Sequence, residues 1–465
     1  MTSVVFDPAA ERAPRRKGRR ELVSPRAPAP KPWAGALATT VASIGLVVTT
    51  LLVIGAESKG ELSLPGGVAT FLGNLTGMVG TYLALIMVLL ASRLPLIERL
   101  LGQDGLLRWH RRVAPWPISL IVAHAVLLVV GYAQAAKTGV WKEIGTLVWS
   151  FPNVLAATVA LGLMVTVGIV SLRAIRTRIR RETWWAIHLY LYLALALSFA
   201  HVILLGPSFV GHPLTQVVWS VVWAGTAGLV LTYRFAVPLA RSLRHGLKVT
   251  EVRTEGPGVV SVICSGRHLE QLAVSGGQFF AWRFLSRGLW WQAHPYSLSA
   301  RPRPPYLRLT VKQIGDHSRA VAQLRPGTRV MVEGPYGSFT ADARRRGRVL
   351  LVAGGIGVTA LRALLEDLPR EAQPVVVVRA TRQEDLVLRS ELSELVRRRH
   401  GELHELVGRR DQVAFDENAM TELVPDLVDR DVFICGPPEF VQAARSLFLR
   451  AGVPRQAVHF EEFSW

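Results

Sequence analysis

Six long apolar runs in the first half of the chain constrain its fold more than any other feature. A helix needs about 20 apolar residues to cross the hydrocarbon core of a bilayer, and each run has roughly that length. The runs cover residues 34–55, 70–92, 113–134, 153–173, 184–205 and 214–237. The sequence therefore predicts an α-helical six-span transmembrane bundle over residues 34–240, with the lipid bilayer as a partner.

The basic residues alternate from one connecting segment to the next. Segment 1–33 and the connections after the second, fourth and sixth runs are rich in Arg, whereas the loops after the first, third and fifth runs carry few positive charges. Cytoplasmic loops of membrane proteins carry the excess of Lys and Arg. The pattern predicts a multi-pass protein of the plasma (inner) membrane with its N-terminus and C-terminal half in the cytoplasm. We expect residues 1–33 to form a disordered basic arm.

Charge and cysteine content exclude several other classes of protein. The chain of 465 residues has a net charge of +20 and two cysteines. Its basic stretches lie beside the predicted spans, so we attribute the charge to membrane orientation and expect no nucleic-acid partner. Two thiols are too few for an iron–sulfur cluster, which takes about four cysteines, and they imply no disulfide framework.

Four histidines lie in two of the predicted spans at nearly equal spacing. His110 and His124, in or at the third span, are 14 residues apart, and His188 and His201 in the fifth are 13 apart. Both spacings are close to four helical turns, so the members of each pair share one helix face and lie about 20 Å apart. The two spans run in the same direction. We therefore expect His110 opposite His188 near the cytoplasm and His124 opposite His201 near the outer side.

Paired imidazoles inside a membrane point to a metal centre. Ionisable residues are costly there and usually functional, and two facing histidines at each of two depths are suited to ligating two haem irons. The sequence predicts these four histidines as metal ligands. The CxxCH motif of covalent haem attachment is absent from the sequence, so the haems are expected to be b-type. Histidines that only form hydrogen bonds between helices are the alternative.

The second half of the chain reads as a water-soluble module. Short strands separated by turns predict an antiparallel β-barrel domain over residues 246–343. A strand, a glycine loop and a helix at VAGGIGVTAL (352–361), followed by further strands, predict an α/β nucleotide-binding domain over 346–465. The whole chain is thus a multidomain protein with an α-helical membrane part, a β-barrel and an α/β domain.

Four short motifs of this module carry chemistry. They are HPYSLSA (294–300), GDHSRAVAQL (315–324), VAGGIGVTAL (352–361) and CGPPEF (435–440). An aromatic face can hold a flat ring, and a short hydroxyl beside it can tune a flavin. Glycines and the start of a helix let a phosphate approach backbone N–H groups. The glycine turn alone is weak evidence, since it is not a GxGxxG fingerprint.

The four histidines and these motifs, in this order, resemble the ferric reductase and NADPH oxidase superfamily over about residues 34–465. The resemblance implies an NAD(P)H-dependent transmembrane flavohaem oxidoreductase with FAD, two b-type haems and NADPH (or NADH) as cofactors. Hydride would pass from cytoplasmic nicotinamide to FAD, and single electrons would then pass through the inner and outer haems to an acceptor outside.

The resemblance also implies roles for the residues of the flavin motifs. Tyr296 would stack on the isoalloxazine, the catalytic hydroxyl of Ser297 would approach N5, and His294 would take the place of an arginine on the flavin phosphate. Backbone N–H groups at the start of a helix would bind the pyrophosphate. The implied FAD-binding set is His294, Pro295, Tyr296, Ser297, His317 and Ser318.

A second set of residues would bind the nicotinamide coenzyme. Cys435 is expected beside the hydride path, and the terminal Trp465, with Phe463 as second candidate, would cover the flavin. Arg379 or Arg382 would pair with the 2′-phosphate of NADPH, or both are solvated loop charges. The implied set is Gly354, Gly355, Gly357, Thr359, Arg379, Arg382, Cys435, Gly436 and Pro437.

The terminal acceptor is open at this point: a ferric chelate, dioxygen, a quinone and a partner protein are all candidates. Animal oxidases of the family place another histidine one turn past the outer ligand, where this chain has Leu128. That difference favours a ferric-reductase-like activity over the formation of superoxide or hydrogen peroxide. A subunit that feeds electrons to a quinone or a partner protein is a further alternative. A haem sensor or assembly subunit would not need the complete flavin and nicotinamide motifs.

Overall fold

The computed structural model describes residues 32–56, 59–101, 103–409 and 411–463. The chain divides into two compact units, with a boundary between Ala236 and Val237. Almost all of the expected basic arm lies outside the described residues, so its disorder stays a prediction.

The first unit is helical. Among the described residues, six helical stretches are long and apolar enough to cross a membrane, and the sixth extends to His245. They confirm the predicted bundle. The helices are α1 (Pro32–Ala56), α2 (Lys59–Leu62), α3 (Gly67–Ala91), α4 (Pro95–Leu101), α5 (Gln103–Val113), α6 (Pro115–Ala136), α7 (Val140–Ser150), α8 (Val154–Ser171), α9 (Arg173–Arg176), α10 (Arg181–Leu205) and α11 (Pro213–Val230), with a π-helical segment at Leu231–Ala236.

Two details of this bundle differ from a simple series of spans and loops. The third span consists of two consecutive helices, α5 and α6, which meet at Ala114, because Pro115 lacks a backbone N–H and is best accommodated in a first turn. His110 therefore lies in α5 and His124 in α6. The connection after the third span, expected as a loop, contains helix α7, whose Trp141 and Trp149 side chains are exposed.

Glycines let α3 and α6 approach each other closely. A Cβ atom at Gly80 would lie 2.9 Å from Ile121, and one at Gly73 would lie 2.8 Å from Leu128. Small residues at such spacings allow the backbones of membrane helices to come together. Close packing of this kind fixes the position of α6, which carries His124.

The second unit begins with α12 (Val237–His245) and an antiparallel barrel. Its two sheets have the strand orders β1-β2-β5 and β4-β3-β6, and isolated bridges at Lys248–Arg329 and Leu298–Leu309 link their edges. The side chains of β3 alternate between half-buried and buried, as one inward face requires. The elements are β1 (Lys248–Gly256), β2 (Val259–Ser265), β3 (Phe279–Phe284), β4 (His294–Ser297), β5 (Tyr306–Lys312), α13 (Asp316–Val321) and β6 (Val330–Tyr336).

A five-stranded parallel sheet follows, in the order β11-β10-β7-β8-β9. The strand order reverses between β7 and β10, and ligands of open α/β sheets bind at the carboxyl ends of strands at such a point. The elements are β7 (Val349–Gly354), α14 (Val358–Asp367), β8 (Val375–Ala380), α15 (Arg389–Arg397), β9 (Glu402–Val407), α16 (Glu417–Leu423), β10 (Asp431–Gly436), α17 (Pro438–Arg450) and β11 (Val458–Glu462). The barrel and this sheet confirm the predicted fold class.

Buried ion pairs connect the barrel to the α/β domain. Arg308 of β5 lies 2.7 Å from Glu391 of α15, and Arg362 of α14 contacts both Glu391, at 2.7 Å, and Glu366, at 2.8 Å. Both arginine side chains are fully buried. Because a buried charge is costly unless it is paired, this network couples the two domains of the module.

Candidate functional site

The structure brings the four membrane histidines together as two pairs. The ring centres of His110 and His188 are 6.3 Å apart, with planes tilted by 58°. Those of His124 and His201 are 6.1 Å apart, with planes at 71°. The α5–α6 span supplies one member of each pair and α10 supplies the other, as the sequence predicts.

The separation of the rings tests whether a haem iron fits between them. A metal–imidazole bond is about 2.0–2.1 Å long and the ring nitrogen lies about 1.1 Å from the ring centre, so a metal held between two imidazoles sets the ring centres about 6.2–6.4 Å apart. The 6.3 Å separation lies within that range, and the 6.1 Å separation lies 0.1 Å below it. The residues therefore fit two bis-imidazole centres.

The outward-facing nitrogens distinguish His124 from the other three histidines. Nδ1 of His124 lies 2.8 Å from the carbonyl oxygen of Gly73 in α3. The Nδ1 atoms of His110, His188 and His201 are buried and have no hydrogen-bond partner among the described residues. Because a carbonyl only accepts, Nδ1 of His124 carries the proton and its Nε2 is free to ligate a metal.

Trp184, which was not among the predicted site residues, contacts the inner pair of histidines. Trp184 stacks on His188 with ring centres 4.9 Å apart, and the guanidinium of Arg176 lies 4.4 Å from the Trp184 ring. The signal was present in the sequence, since Trp184 precedes His188 by one helical turn.

The flavin motif forms β4, and its rings lie against those of the GDHS segment. His294 and His317 stack with ring centres 3.6 Å apart, and the Tyr296 hydroxyl forms a 3.0 Å hydrogen bond with Nδ1 of His317. Trp282 anchors the strand, because its indole N–H donates to the Tyr296 carbonyl at 2.9 Å. The result is a set of nearly parallel rings at one edge of the barrel.

The placement of His317 extends the sequence prediction. Backbone N–H groups were expected to contribute here, but the imidazole itself lies in the ring stack, and its Nε2 is buried without a hydrogen-bond partner among the described residues. Burial, and then the neighbouring His294, lower the pKa of His317 to about 3, while burial raises the pKa of Tyr296. A neutral, unpartnered nitrogen beside a flat aromatic surface fits a flavin ring.

The remaining flavin candidates shape the backbone around this surface. Ser297 is buried in the pairing of β4 with β3, where it lies opposite Phe279, and Pro295 lies opposite Ala281. The Ser318 hydroxyl accepts hydrogen bonds from the backbone N–H groups of Ile314, at 2.9 Å, and Gly315, at 3.0 Å. Ser318 thus holds the turn that begins α13.

The glycine loop and the CGP motif meet at the carboxyl ends of β7 and β10. A Cβ atom at Gly357 would lie 2.1 Å from the Cys435 carbonyl, and one at Gly354 would lie 2.5 Å from the Phe440 ring. Gly355 has a φ of +54°, which disfavours other residues. The contact between the glycine loop and the CGP motif therefore needs glycine at residues 354 and 357. The absence of side chains there leaves the backbone accessible to a dinucleotide.

The other nicotinamide candidates lie around the same contact. The Cys435 thiol and Gly436 are buried, burial raises the pKa of Cys435 well above its ordinary value, and Pro437 is exposed. Thr359 is buried and donates to the carbonyl of Ile356 at 2.9 Å, so its hydroxyl caps the loop. The Phe463 N–H donates to the Gly436 carbonyl at 3.0 Å. Trp465 lies outside the described residues.

The two arginine candidates for the 2′-phosphate have different surroundings. The Arg379 guanidinium donates to the carbonyls of Ala380, Leu406, Gly408 and Arg409 over 2.7–2.9 Å. Arg382 is exposed and pairs with Glu384 at 2.5 Å and Asp385 at 3.3 Å. Arg379 therefore holds the end of β9, and Arg382 is the more accessible of the two.

Three family models match separate parts of the chain. A ferric reductase like transmembrane component matches residues 76–199, an FAD-binding domain matches residues 244–340, and an oxidoreductase NAD-binding domain matches residues 351–446. The first range includes His110, His124 and His188 and ends before His201.

Curated relatives match the second half of the chain. The chain is 32% identical over 205 residues to the ferredoxin reductase component of 3-ketosteroid-9-alpha-monooxygenase from Mycobacterium tuberculosis, covering 42% of this chain and 56% of that protein. It is 28% identical over 188 residues to a flavohemoprotein from Bacillus subtilis, covering 36% and 46%. The chain thus spans about half the length of these curated relatives. The FAD/NAD binding domain of nitric oxide dioxygenase from Vibrio cholerae aligns with 21% identity and a TM-score of 0.41 over 47% of this chain and 99% of that one.

These matches confirm the resemblance that the motifs indicated. The membrane domain and the two soluble domains occur in the order in which the sequence predicted them. The chain joins a ferric reductase like transmembrane component to FAD-binding and NAD-binding domains, an arrangement that matches a fusion like those of the ferric reductase and NADPH oxidase superfamily.

Proposed function

We propose that this protein transfers electrons from cytoplasmic NAD(P)H through FAD and two b-type haems to an acceptor on the outer face of the plasma membrane, with a ferric-reductase-like activity. The observation that carries the proposal is the pairing of four intramembrane histidines with ring centres 6.3 and 6.1 Å apart. Hydrogen bonding between helices alone does not account for two pairs at the separation of a bis-imidazole metal centre.

Bound FAD would supply hydride-to-single-electron chemistry, and two haems would supply a relay across the membrane. His110 and His188 would hold the inner iron, and His124 and His201 would hold the outer one. The near-parallel rings at Tyr296 orient the flavin, and the glycine loop admits the dinucleotide to the end of β7.

The orientation of the proposal rests on charge and chain order. The flavin and nicotinamide motifs follow the sixth span, and the connection after that span, RFAVPLARSLRHG, is rich in Arg. Excess Arg marks the cytoplasmic side, where NAD(P)H is available. The inner pair of histidines belongs to the same side, because His110 lies within the Arg-rich connection after the second span and His188 follows the Arg-rich connection after the fourth.

An anaerobic absorbance titration of the purified protein tests the relay. NADPH, then NADH, then dithionite are added while the flavin and haem bands are recorded. We expect about two b-type haems per flavin, reduced by the nicotinamide. In His124→Leu the outer haem and acceptor reduction should be lost while NAD(P)H still reduces the flavin. Absence of haem from the wild-type protein, or unchanged transmembrane reduction in His124→Leu, would contradict the proposal.

One experiment identifies the terminal electron acceptor by comparing how fast different acceptors are reduced. The match to a ferric reductase like component supports ferric iron as the substrate class. Reconstituted protein with NADPH inside vesicles is offered a ferric chelate, a quinone analogue or dioxygen outside. Faster reduction of the ferric chelate supports the proposal, and faster formation of superoxide or quinol would replace it with the corresponding alternative.

A further inference from the structure

Gly77 of α3 lies against the ring of His124, and the absence of a side chain at this residue leaves space for the ring. A Cβ atom at Gly77 would be 2.4 Å from Nδ1 of His124, 2.8 Å from Cε1 and 2.9 Å from Cγ. These distances are far inside van der Waals contact, and the atoms belong to a flat, rigid ring. Any side chain at residue 77 would therefore displace the imidazole.

One turn earlier on the same helix, the backbone holds the ring by a hydrogen bond. The carbonyl oxygen of Gly73 lies 2.8 Å from Nδ1 of His124. Residues 73 and 77 form a Gly-x-x-x-Gly segment, which is the arrangement that lets membrane helices approach closely. The close approach supplies both the space for the ring and the acceptor for its proton.

We propose that Gly73 and Gly77 are positioning residues for the outer haem ligand: the Gly73 carbonyl fixes the proton of His124 on Nδ1, and Gly77 leaves the space that aims Nε2 at His201. This inference rests on the proposed function, since it takes His124 as an iron ligand. Metal-bound histidines generally donate their other ring N–H to a carbonyl or carboxylate, which fixes the tautomer and strengthens the ligand.

The hydrogen bond to Gly73 acts on one histidine of the outer pair. Among the described residues, Nδ1 of His110, of His188 and of His201 forms no hydrogen bond, and the backbone of Met87 lies close to His110. The outer pair therefore contains one ligand made more basic by a 2.8 Å hydrogen bond to a backbone carbonyl. A more basic ligand stabilises ferric over ferrous iron, so loss of this bond should raise the reduction potential of one haem only.

The test compares Gly77→Ala with Gly162→Ala in the full-length protein. The control adds the same methyl group to another membrane-spanning helix, α8, at a position where the Cβ would meet nothing within 4 Å. Haem content per flavin, the electron paramagnetic resonance signals of the ferric haems and their reduction potentials are measured for both variants and for the wild-type protein.

In Gly77→Ala we expect one of the two haems to be retained about 10–100-fold less tightly, with a shifted ferric signal and a raised potential. The second haem and the flavin should be unchanged, and Gly162→Ala should match the wild-type protein. Two haems with wild-type signals and potentials in Gly77→Ala would overturn the inference, as would equal haem loss in both variants. A wild-type protein without haem would instead refute the proposed function.

A second measurement covers the case in which Gly77→Ala does not accumulate. Electron–nuclear double resonance on the wild-type protein resolves the exchangeable Nδ1 protons of the axial imidazoles. One of the outer-haem protons should show the coupling of a strong N–H···O=C hydrogen bond. Four equivalent protons would overturn the inference without any substitution.

Discussion

Arg379 lies in β8 and Arg382 lies just after it, yet the structure gives them different surroundings. Both are basic residues near the carboxyl end of β8, so the sequence offers them equally as phosphate ligands. Arg379 is enclosed by carbonyls of β9 and the following loop, residues that are distant in sequence and are brought alongside by the parallel pairing of β8 with β9. Sequence spacing alone could not reveal that contact.

We expect Arg382→Ala to lower kcat/KM for NADPH about tenfold or more, since a guanidinium on a phosphate makes strong charge-assisted hydrogen bonds. NADH has no 2′-phosphate, so its kcat/KM should change little. Steady-state kinetics of flavin reduction with both coenzymes would measure the difference.

Arg379→Ala serves as the matched control on the same strand. It leaves the carbonyls at the end of β9 without their donor, so it should impair the use of both coenzymes equally and lower the thermal stability. If Arg379→Ala, rather than Arg382→Ala, selectively impairs the use of NADPH, the assignment of the two arginines must be exchanged.

At the scale of elements, the sequence predicted the membrane spans and the strands well. It did not predict the junction within the third span or the helix in the loop that follows. The six spans and the strands of the barrel follow from apolar length and alternation, which are local properties. The junction of α5 and α6 and helix α7 were not anticipated, because an apolar run gives no signal of an internal junction and α7 lies in a segment read as a loop. The stacking of the His317 ring on His294 was also not predicted, because it depends on the contact between β4 and α13.

The ion pairs between β5, α14 and α15 should stabilise the flavin and nicotinamide module. We expect Glu391→Ala to lower its free energy of unfolding by about 3–5 kcal/mol, because it leaves Arg308 and Arg362 buried with fewer counter-charges. Chemical denaturation of the full-length protein followed by flavin release would measure the loss. Glu394→Ala, on the same helix, removes a carboxylate that pairs with Arg397 and Arg398 at the end of α15 and should leave the stability nearly unchanged.

The same network gives the stability a defined pH dependence. Burial raises the pKa of Glu391, but the hydrogen bond and charge of Arg308 outweigh it, so the pKa is lowered from its ordinary 4.5. A carboxyl with a lowered pKa contributes stability that is complete above pH 4.5 and is lost as the pH falls through its folded-state pKa. The wild-type protein should therefore lose more stability below pH 4.5 than Glu391→Ala does. Equal losses would show that Glu391 does not contribute in this way.

At the scale of the whole molecule, the order of the domains determines which side of the membrane supplies electrons. Charge bias and chain order place the nicotinamide site on the cytoplasmic side in our proposal. NAD(P)H is charged and does not cross a bilayer, so only vesicles that expose the cytoplasmic face should oxidise it.

Inverted and right-side-out membrane vesicles test this orientation directly. We expect inverted vesicles to oxidise added NADPH, and right-side-out vesicles to do so only after permeabilisation. Gly357→Ala is the control, because its Cβ would collide with the Cys435 carbonyl and should abolish oxidation in both preparations. Equal oxidation by intact vesicles of either orientation would contradict the cytoplasmic assignment.

The bond between His124 and Gly73 has a consequence for how such sites evolve. The acceptor is a main-chain oxygen, which every amino acid supplies, so no substitution at residue 73 removes the acceptor itself. Selection must act instead on the absence of a side chain, because a Cβ at residue 73 would collide with Leu128 and one at residue 77 would collide with His124. A search of genomes for conserved reactive groups would pass over both positions, although the placement of the ligand depends on them.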